Sequence, residues 1–337
     1  MRKIYKFLII VGIIAAVLYL LSLRKIPTQF TYGVSFSKFH SDELGLDWKK
    51  VYLALLDDLK IRNFRFSAHW PSTEPQDGKY DFSVLDFQMQ EAQKRDASVI
   101  FAIGRRLPGW PECHVPDWAQ KLSVDERDQK LLDYITTTVN RYKNFPNIKY
   151  WQVENEPFLV AFSRSNCGEL DKGFLKQEIN LVHQLDPKRQ VLVTDGGEYG
   201  TWYNAYNYGD VFGTSLYLYI WFKPINLPFR YPFPPAFFSI KENIIEFLHK
   251  IFHHDKNPKP SLVIELSTEP WLLQPITETP LNIQLDRMGM DKFNEMIDFS
   301  KKTGFDTFYL WGGEWWYWMR DHGHPEFWER AKQIYAK

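Results

Sequence analysis

The sequence predicts a (β/α)8 barrel preceded by a membrane-directing segment, and three observations carry that prediction. Eight short runs of branched and aromatic residues alternate with stretches of helical periodicity. Two of those runs, the fourth and the seventh, carry glutamates at their C-terminal tips. A nearly unbroken apolar block at residues 7–23 stands apart from everything that follows.

That block comes first in the chain. It is preceded by Arg2, Lys3 and Lys6 and followed by Arg24 and Lys25, the flanks of a signal peptide or a short signal anchor. No Ala-x-Ala cleavage pattern follows it, so an uncleaved anchor is the first expectation and a cleaved signal the second. Basic residues ahead of the block favour a cytoplasmic N-terminus. The rest of the chain is then expected outside the cytoplasmic membrane, at the cell surface or in the periplasm, or else secreted. Residues 1–26 are set aside as targeting, and residues 27–337 are taken as one catalytic barrel domain.

Beyond it, strands are expected at 30–37, 63–70, 98–104, 148–154, 190–195, 211–217, 261–266 and 307–311. Helical patterns occupy 48–60, 83–94, 124–142, 174–185, 241–252 and 292–302, and 325–336 closes the chain. The stretch 199–208, after the fifth run, is the weakest of the helical patterns. A doubly wound open sheet is the competing architecture, but no Gly-rich fingerprint follows the first strand.

Composition narrows the partners. The 41 basic and 41 acidic side chains cancel, which argues against nucleic acid. Aromatics reach 17%, a content suited to stacking on flat apolar faces such as sugar rings. No zinc motif, P-loop or serine nucleophile elbow is present; His253–His254 lack a third ligand at metal spacing and His322 and His324 are read as structural, so neither a metal nor a cofactor is expected.

In a barrel the chemistry sits at the C-terminal ends of the strands. Those tips carry Ser35 and Ser37, Arg65 and His69, Arg105 and Arg106, Asn155 and Glu156, Asp195 and Glu198, Tyr217 and Tyr219, Glu265 and Glu269, and Trp311 and Glu314. Glu156 and Glu265 close strands four and seven, and two opposed carboxylates are what glycoside hydrolysis needs: one to hold a proton, one to attack. Glu269 is a rival four residues further on, expected to line the cleft or be solvated. Glu154 lies two residues before Glu156, which on an extended strand puts it on the same face, deeper in the barrel and paired with an arginine such as Arg65.

The run from Trp151 to Pro157, WQVENEP, together with Val263-Ile264-Glu265, resembles the clan A glycoside hydrolases, the group of cellulases, β-mannanases, β-glucosidases and β-galactosidases. The resemblance extends to Phe64-Arg65-Phe66-Ser67, to Glu74-Pro75 with the Gly78-Lys79-Tyr80-Asp81-Phe82 segment, and to Leu310-Trp311-Gly312-Gly313-Glu314. It implies Glu156 as acid/base, Glu265 as nucleophile, Asn155 on the substrate 2-hydroxyl, and Arg65 and Tyr217 supporting the nucleophile. It also implies Trp311 and Glu314 at the sugar, and Glu198 is added to the substrate-binding set from its place at a strand tip. At the third tip many members carry a histidine; here Arg105 and Arg106 either bind an acidic sugar or pair with a barrel carboxylate, the second being preferred.

The expected activity is thus retaining hydrolysis of O-glycosidic bonds in an oligo- or polysaccharide, with transglycosylation and non-catalytic carbohydrate binding as the alternatives. Cys113 and Cys167 fall in neighbouring loops on the catalytic face. An oxidising compartment permits a disulfide between them; a cytoplasmic one leaves two free thiols.

Overall fold

The computed structural model describes residues 5, 6, 9, 12, 19–23, 26–109, 111–159, 167, 170–222, 227–253 and 257–336. Its centre is a closed barrel of eight parallel strands: β1 (Thr31–Phe36), β2 (Asn63–Ser67), β3 (Ser98–Ile103), β4 (Ile148–Val153), β5 (Val191–Asp195), β6 (Val211–Leu216), β7 (Ser261–Ser267) and β8 (Thr307–Trp311). Each pairs with its neighbours in chain order, and β8 returns to β1 with Thr31 opposite Thr307 and Val34 opposite Leu310. All eight expected strands form, each within a few residues of its predicted limits.

Helices α1 (Trp48–Asp57), α2 (Ser83–Lys94), α3 (Val124–Tyr142), α4 (Lys172–Leu185), α5 (Tyr203–Tyr208), α6 (Ala236–His253), α7 (Met290–Ser300) and α8 (Glu326–Tyr335) follow the strands in turn. Local chemistry fixes where they start. Asp47 accepts hydrogen bonds from the Lys49 and Lys50 amides, Asp171 accepts from Phe174, and Ser123 with Glu126 forms a reciprocal capping box. The weak 199–208 pattern yields only the six-residue α5, because Trp202 adopts a left-handed backbone and the preceding turn is tied to Asp195 instead.

Alternation along the strands divides the core in two. Ile100, Leu192, Val211, Leu262, Ile264 and Tyr309 pack together inside the barrel, whereas the intervening Val99, Phe101, Trp151, Val193, Phe212, Val263 and Phe308 join the larger layer between strands and helices. The Tyr335 hydroxyl donates to the Gly33 carbonyl at 2.8 Å, tying α8 to the first strand.

Short helices Lys38–Glu43, Trp70–Thr73, Asp117–Gln120 and Leu281–Arg287 sit in the loops, and two larger additions lie beyond the alternating pattern. A two-stranded antiparallel hairpin, Tyr219–Phe222 with Leu227–Arg230, stands after β6, and an extra helix, Gly313–Asp321, follows β8 directly. Neither has a counterpart among the strands and helices expected from the sequence.

Cys113 and Cys167 are disulfide-bonded, with Cα atoms 5.3 Å apart, which bridges the loops after β3 and β4. Among the described residues no helix is long and apolar enough to cross a membrane; the expected anchor at residues 7–23 lies largely outside the described residues.

Candidate active site

Arg65 organises the barrel mouth. Its side chain is fully buried and its three nitrogens each find a partner: Nε donates to Gln152 Oε1 at 2.8 Å, Nη1 to Glu265 Oε1 at 2.6 Å and Nη2 to Asn155 Oδ1 at 2.7 Å. One planar fork thus links β2 to β4 and β7, which a point-charge lysine has no geometry to do. Tyr217 completes the support of Glu265, its hydroxyl donating to Oε2 at 2.9 Å.

Glu265 reaches this position through a break in strand alternation. Thr214 pairs with Val263 but Ser215 pairs with Glu265, and β8 shows a matching shift between Phe308 and Leu310. One extra residue in β7 turns Ile264 and Glu265 to the same side, a bulge that aims the carboxylate into the mouth.

Backbone strain does the same for β4. Glu154 and Glu156 both have left-handed backbones, with φ of 58° and 45°. The chain therefore leaves the extended geometry, and Glu154 does not share a face with Glu156 or pair with Arg65 as expected. Its carboxylate accepts from the Arg105 amide at 2.9 Å and the Arg106 amide at 2.6 Å, and it meets Glu178 of α4. Gly104, at φ 132°, leaves the room: a Cβ there would lie 2.6 Å from Glu154 Oε1.

Glu156 is held differently from Glu265. Its amide donates to Thr194 Oγ1 at 2.8 Å and its carboxyl hydrogen-bonds Ser215. Burial, then the negative charges of Glu265 and Glu112, push its pKa well above the usual carboxylate range. The site therefore pairs a carboxyl that keeps its proton with a carboxylate compensated by two donors.

The remaining predicted residues lie around this pair. Asn155 is buried, its Oδ1 on Arg65 and its Nδ2 without a partner among the described residues. Trp311 is half-buried and its indole N–H donates to Glu269 Oε1 at 2.6 Å. Glu269 is therefore not solvated; it is buried at the barrel mouth and also binds His40 Nε2 at 3.0 Å. Burial would make His40 harder to protonate, but the Glu269 and Glu43 carboxylates overcome it and lift its pKa well above 6.5. Glu314 is buried beside His40, accepts from the Ser37 amide at 2.7 Å, and is pushed up to about 7 by that burial. Glu198 accepts from the Tyr217 amide at 3.3 Å and is pushed by burial to about 8.

The arginines at the third tip are engaged with carboxylates: Arg105 with Asp128 and Arg106 with Glu112, both at 3.1 Å. His69 packs against His114 with ring centroids 4.1 Å apart, and burial together with that neighbour lowers its pKa to about 3, so it is neutral. Three contributors escaped the sequence reading. Gln152 and His40 are polar residues in an apolar strand and a short helix, a signal that was present; Glu112 sits in a loop, where no periodicity marks it. Among the described residues no cluster of three or more His, Cys, Asp or Glu side chains is arranged to hold a metal.

Comparison with known proteins fits this geometry. The sequence model of Glycosyl hydrolase family 10 matches residues 57–200, a stretch that carries Arg65, Asn155 and Glu156 and ends before Glu265. The β-galactosidase BgaA of Clostridium cellulovorans is 24% identical over 173 residues, 46% of this chain and 26% of that protein. This chain spans about a quarter or less of the length of the curated relatives it matches. Among solved structures, GH5_18 from Bifidobacterium longum superposes with a TM-score of 0.58 at 12% identity, covering 84% of this chain and 70% of that one. A family 10 endo-β-1,4-xylanase from Gloeophyllum trabeum gives 0.53 at 14% identity, covering 86% and 85%. At these identities the structural likeness speaks for the fold.

Proposed function

We propose that this eight-stranded barrel, whose residues 57–200 match the Glycosyl hydrolase family 10 model and whose fold is that of clan A glycoside hydrolases, cleaves O-glycosidic bonds in an oligo- or polysaccharide with retention of anomeric configuration. The observation that carries this reading is the unequal pair: Glu156 buried and proton-holding, Glu265 clamped between Arg65 and Tyr217.

In the first step a Glu265 oxygen attacks the anomeric carbon while the Glu156 proton passes to the departing glycosidic oxygen, leaving a glycosyl ester on Glu265. Glu156, now a carboxylate, then takes a proton from water as that water attacks the same carbon, and the ester bond to Glu265 breaks. Both carboxyls end as they began, so no cofactor is consumed. The open Nδ2 of Asn155 suits a substrate hydroxyl. The Trp311 ring, fixed through Glu269, offers a face for a sugar.

The apolar block at residues 7–23 and the disulfide support a barrel tethered by its N-terminal segment and facing an oxidising compartment. Retention of the protein in membranes through an alkaline wash tests the tether; a soluble form beginning after Lys25 would show a cleaved signal.

The activity test is incubation with a glycan panel, scored by free reducing ends. Lengthened chains would instead mean transfer, and binding without products would mean a receptor. In the hydrolase, Glu265→Ala loses turnover and regains it with azide, giving a product of inverted configuration. Retained activity in Glu265→Ala alongside a dead Glu269→Ala would reverse the nucleophile assignment.

A further inference from the structure

A groove of about 300 Å³ opens between the hairpin after β6 and the loop after β7, walled by Tyr219, Phe229, Trp271, Asp286, Arg287 and Lys292. Both connections leave C-terminal strand ends, so the groove is on the same barrel face as Glu265. It is also in contact with that centre: the Trp271 ring meets the Tyr217 ring edge-on at 5.2 Å between centroids, and Tyr217 donates to Glu265.

The walls are held in place. Arg230 of the hairpin pairs with Glu295 of α7, its Nε at 2.9 Å, and the Tyr219 hydroxyl reaches the same carboxylate. Arg287 lies over the Trp221 ring at 4.8 Å, and Lys292 lies near the Tyr219 ring at 5.5 Å. The two strands Tyr219–Phe222 and Leu227–Arg230 are thus fastened to α7 and to the segment before it.

We propose that this groove is a second sugar-binding position, so that the substrate is a chain of several sugars running from the Glu156/Glu265 centre across Trp271 onto the hairpin. The inference rests on the glycosidase reading and names what that site takes. The volume sits at the small end of small-molecule sites, room for a sugar unit or two. Its lining combines aromatic planes, which accept the apolar C–H face of a pyranose, with Asp286, Arg287 and Lys292, which can bond its hydroxyls. Continuity with the nucleophile through Tyr217 is what selects a glycan over an unrelated ligand.

The test uses the full chain carrying Glu265→Gln, which binds without turnover, titrated calorimetrically with cello-, xylo-, manno- and β-1,4-galacto-oligosaccharides of one to five units. Affinity for the recognised series should rise at least tenfold between one and three units, and Trp271→Ala or Phe229→Ala should erase that rise. Phe229 is exposed and is the safer variant for folding. Affinity that is flat with length, absent throughout, or unchanged in both variants would overturn the groove. Length-dependent binding combined with no turnover by the unsubstituted chain would uphold the groove and sink the hydrolase reading, so the two failures are separable.

Discussion

Arg65 of β2 and Glu265 of β7 form a 2.6 Å ion pair across the barrel mouth, and the same guanidinium holds Gln152 and Asn155 of β4. Arg65→Lys keeps the charge but loses the fork. It should lower kcat/KM by about 10²–10³, the scale of losing one well-placed donor to developing charge. Arg65→Met, which strands Glu265 unpaired, should cost about 3–5 kcal/mol of stability. Steady-state kinetics and urea unfolding check the two; Arg65→Lys within threefold of the unsubstituted chain would contradict the assignment.

Glu112 raises the pKa of Glu156 through its charge, after burial and Glu265. The first chemical step needs Glu156 protonated, so activity ends on the alkaline side where that proton leaves. Glu112→Gln deletes one negative charge and frees Arg106 from its ion pair, and both changes favour the Glu156 carboxylate. The alkaline limb of kcat/KM should therefore move to lower pH. An unmoved limb would mean that Glu112 does not act on the acid.

The Glu154–Glu178 pair should control stability at high pH. Glu154 already accepts two backbone amides, so the shared proton rests on Glu178, whose pKa burial and the Glu154 charge raise well above the usual range. A carboxyl raised in the folded state contributes stability below its unfolded pKa of about 4.3, and that contribution is lost as pH rises through the folded value. Glu178→Gln should therefore raise Tm at neutral and alkaline pH, with the gain vanishing towards pH 4. Calorimetric melts across pH measure it, and a pH-independent difference would refute the protonation argument.

Opening the Cys113–Cys167 bond releases a loop whose ends are 54 positions apart. Loop-closure entropy puts its contribution at about 4 kcal/mol. Denaturant unfolding of the Cys113→Ser/Cys167→Ser variant, compared with the oxidised chain, tests this; a loss under about 1 kcal/mol would show that the bond fastens two loops already held.

The eight strands were legible because each is a short branched or aromatic run with polar punctuation, and a barrel then dictates where its ends meet. Glu156 and Glu265 were legible as strand ends. What alternation concealed was how they come to face one another. The bulge beside Ile264 and the left-handed backbones at Glu154 and Glu156 are imposed by neighbouring strands and by the Arg105 and Arg106 amides. Local sequence carries no mark of either, so Glu154 was assigned the wrong face and the wrong partner. The hairpin was closer to legible: Tyr219-Ile220-Trp221-Phe222 is a short apolar run of the kind that marked the barrel strands.

The ring is sealed by the pairing of Thr31 with Thr307 and by the Tyr335 hydroxyl on Gly33. During synthesis the first strand therefore waits for a partner made 276 positions later (307 − 31), an interval of roughly 14–55 s at ribosomal speeds. Through that time a nascent sheet of up to seven strands has two raw margins, each able to recruit a neighbouring nascent chain. Slowing synthesis without shielding the early strands should accordingly lower the soluble yield.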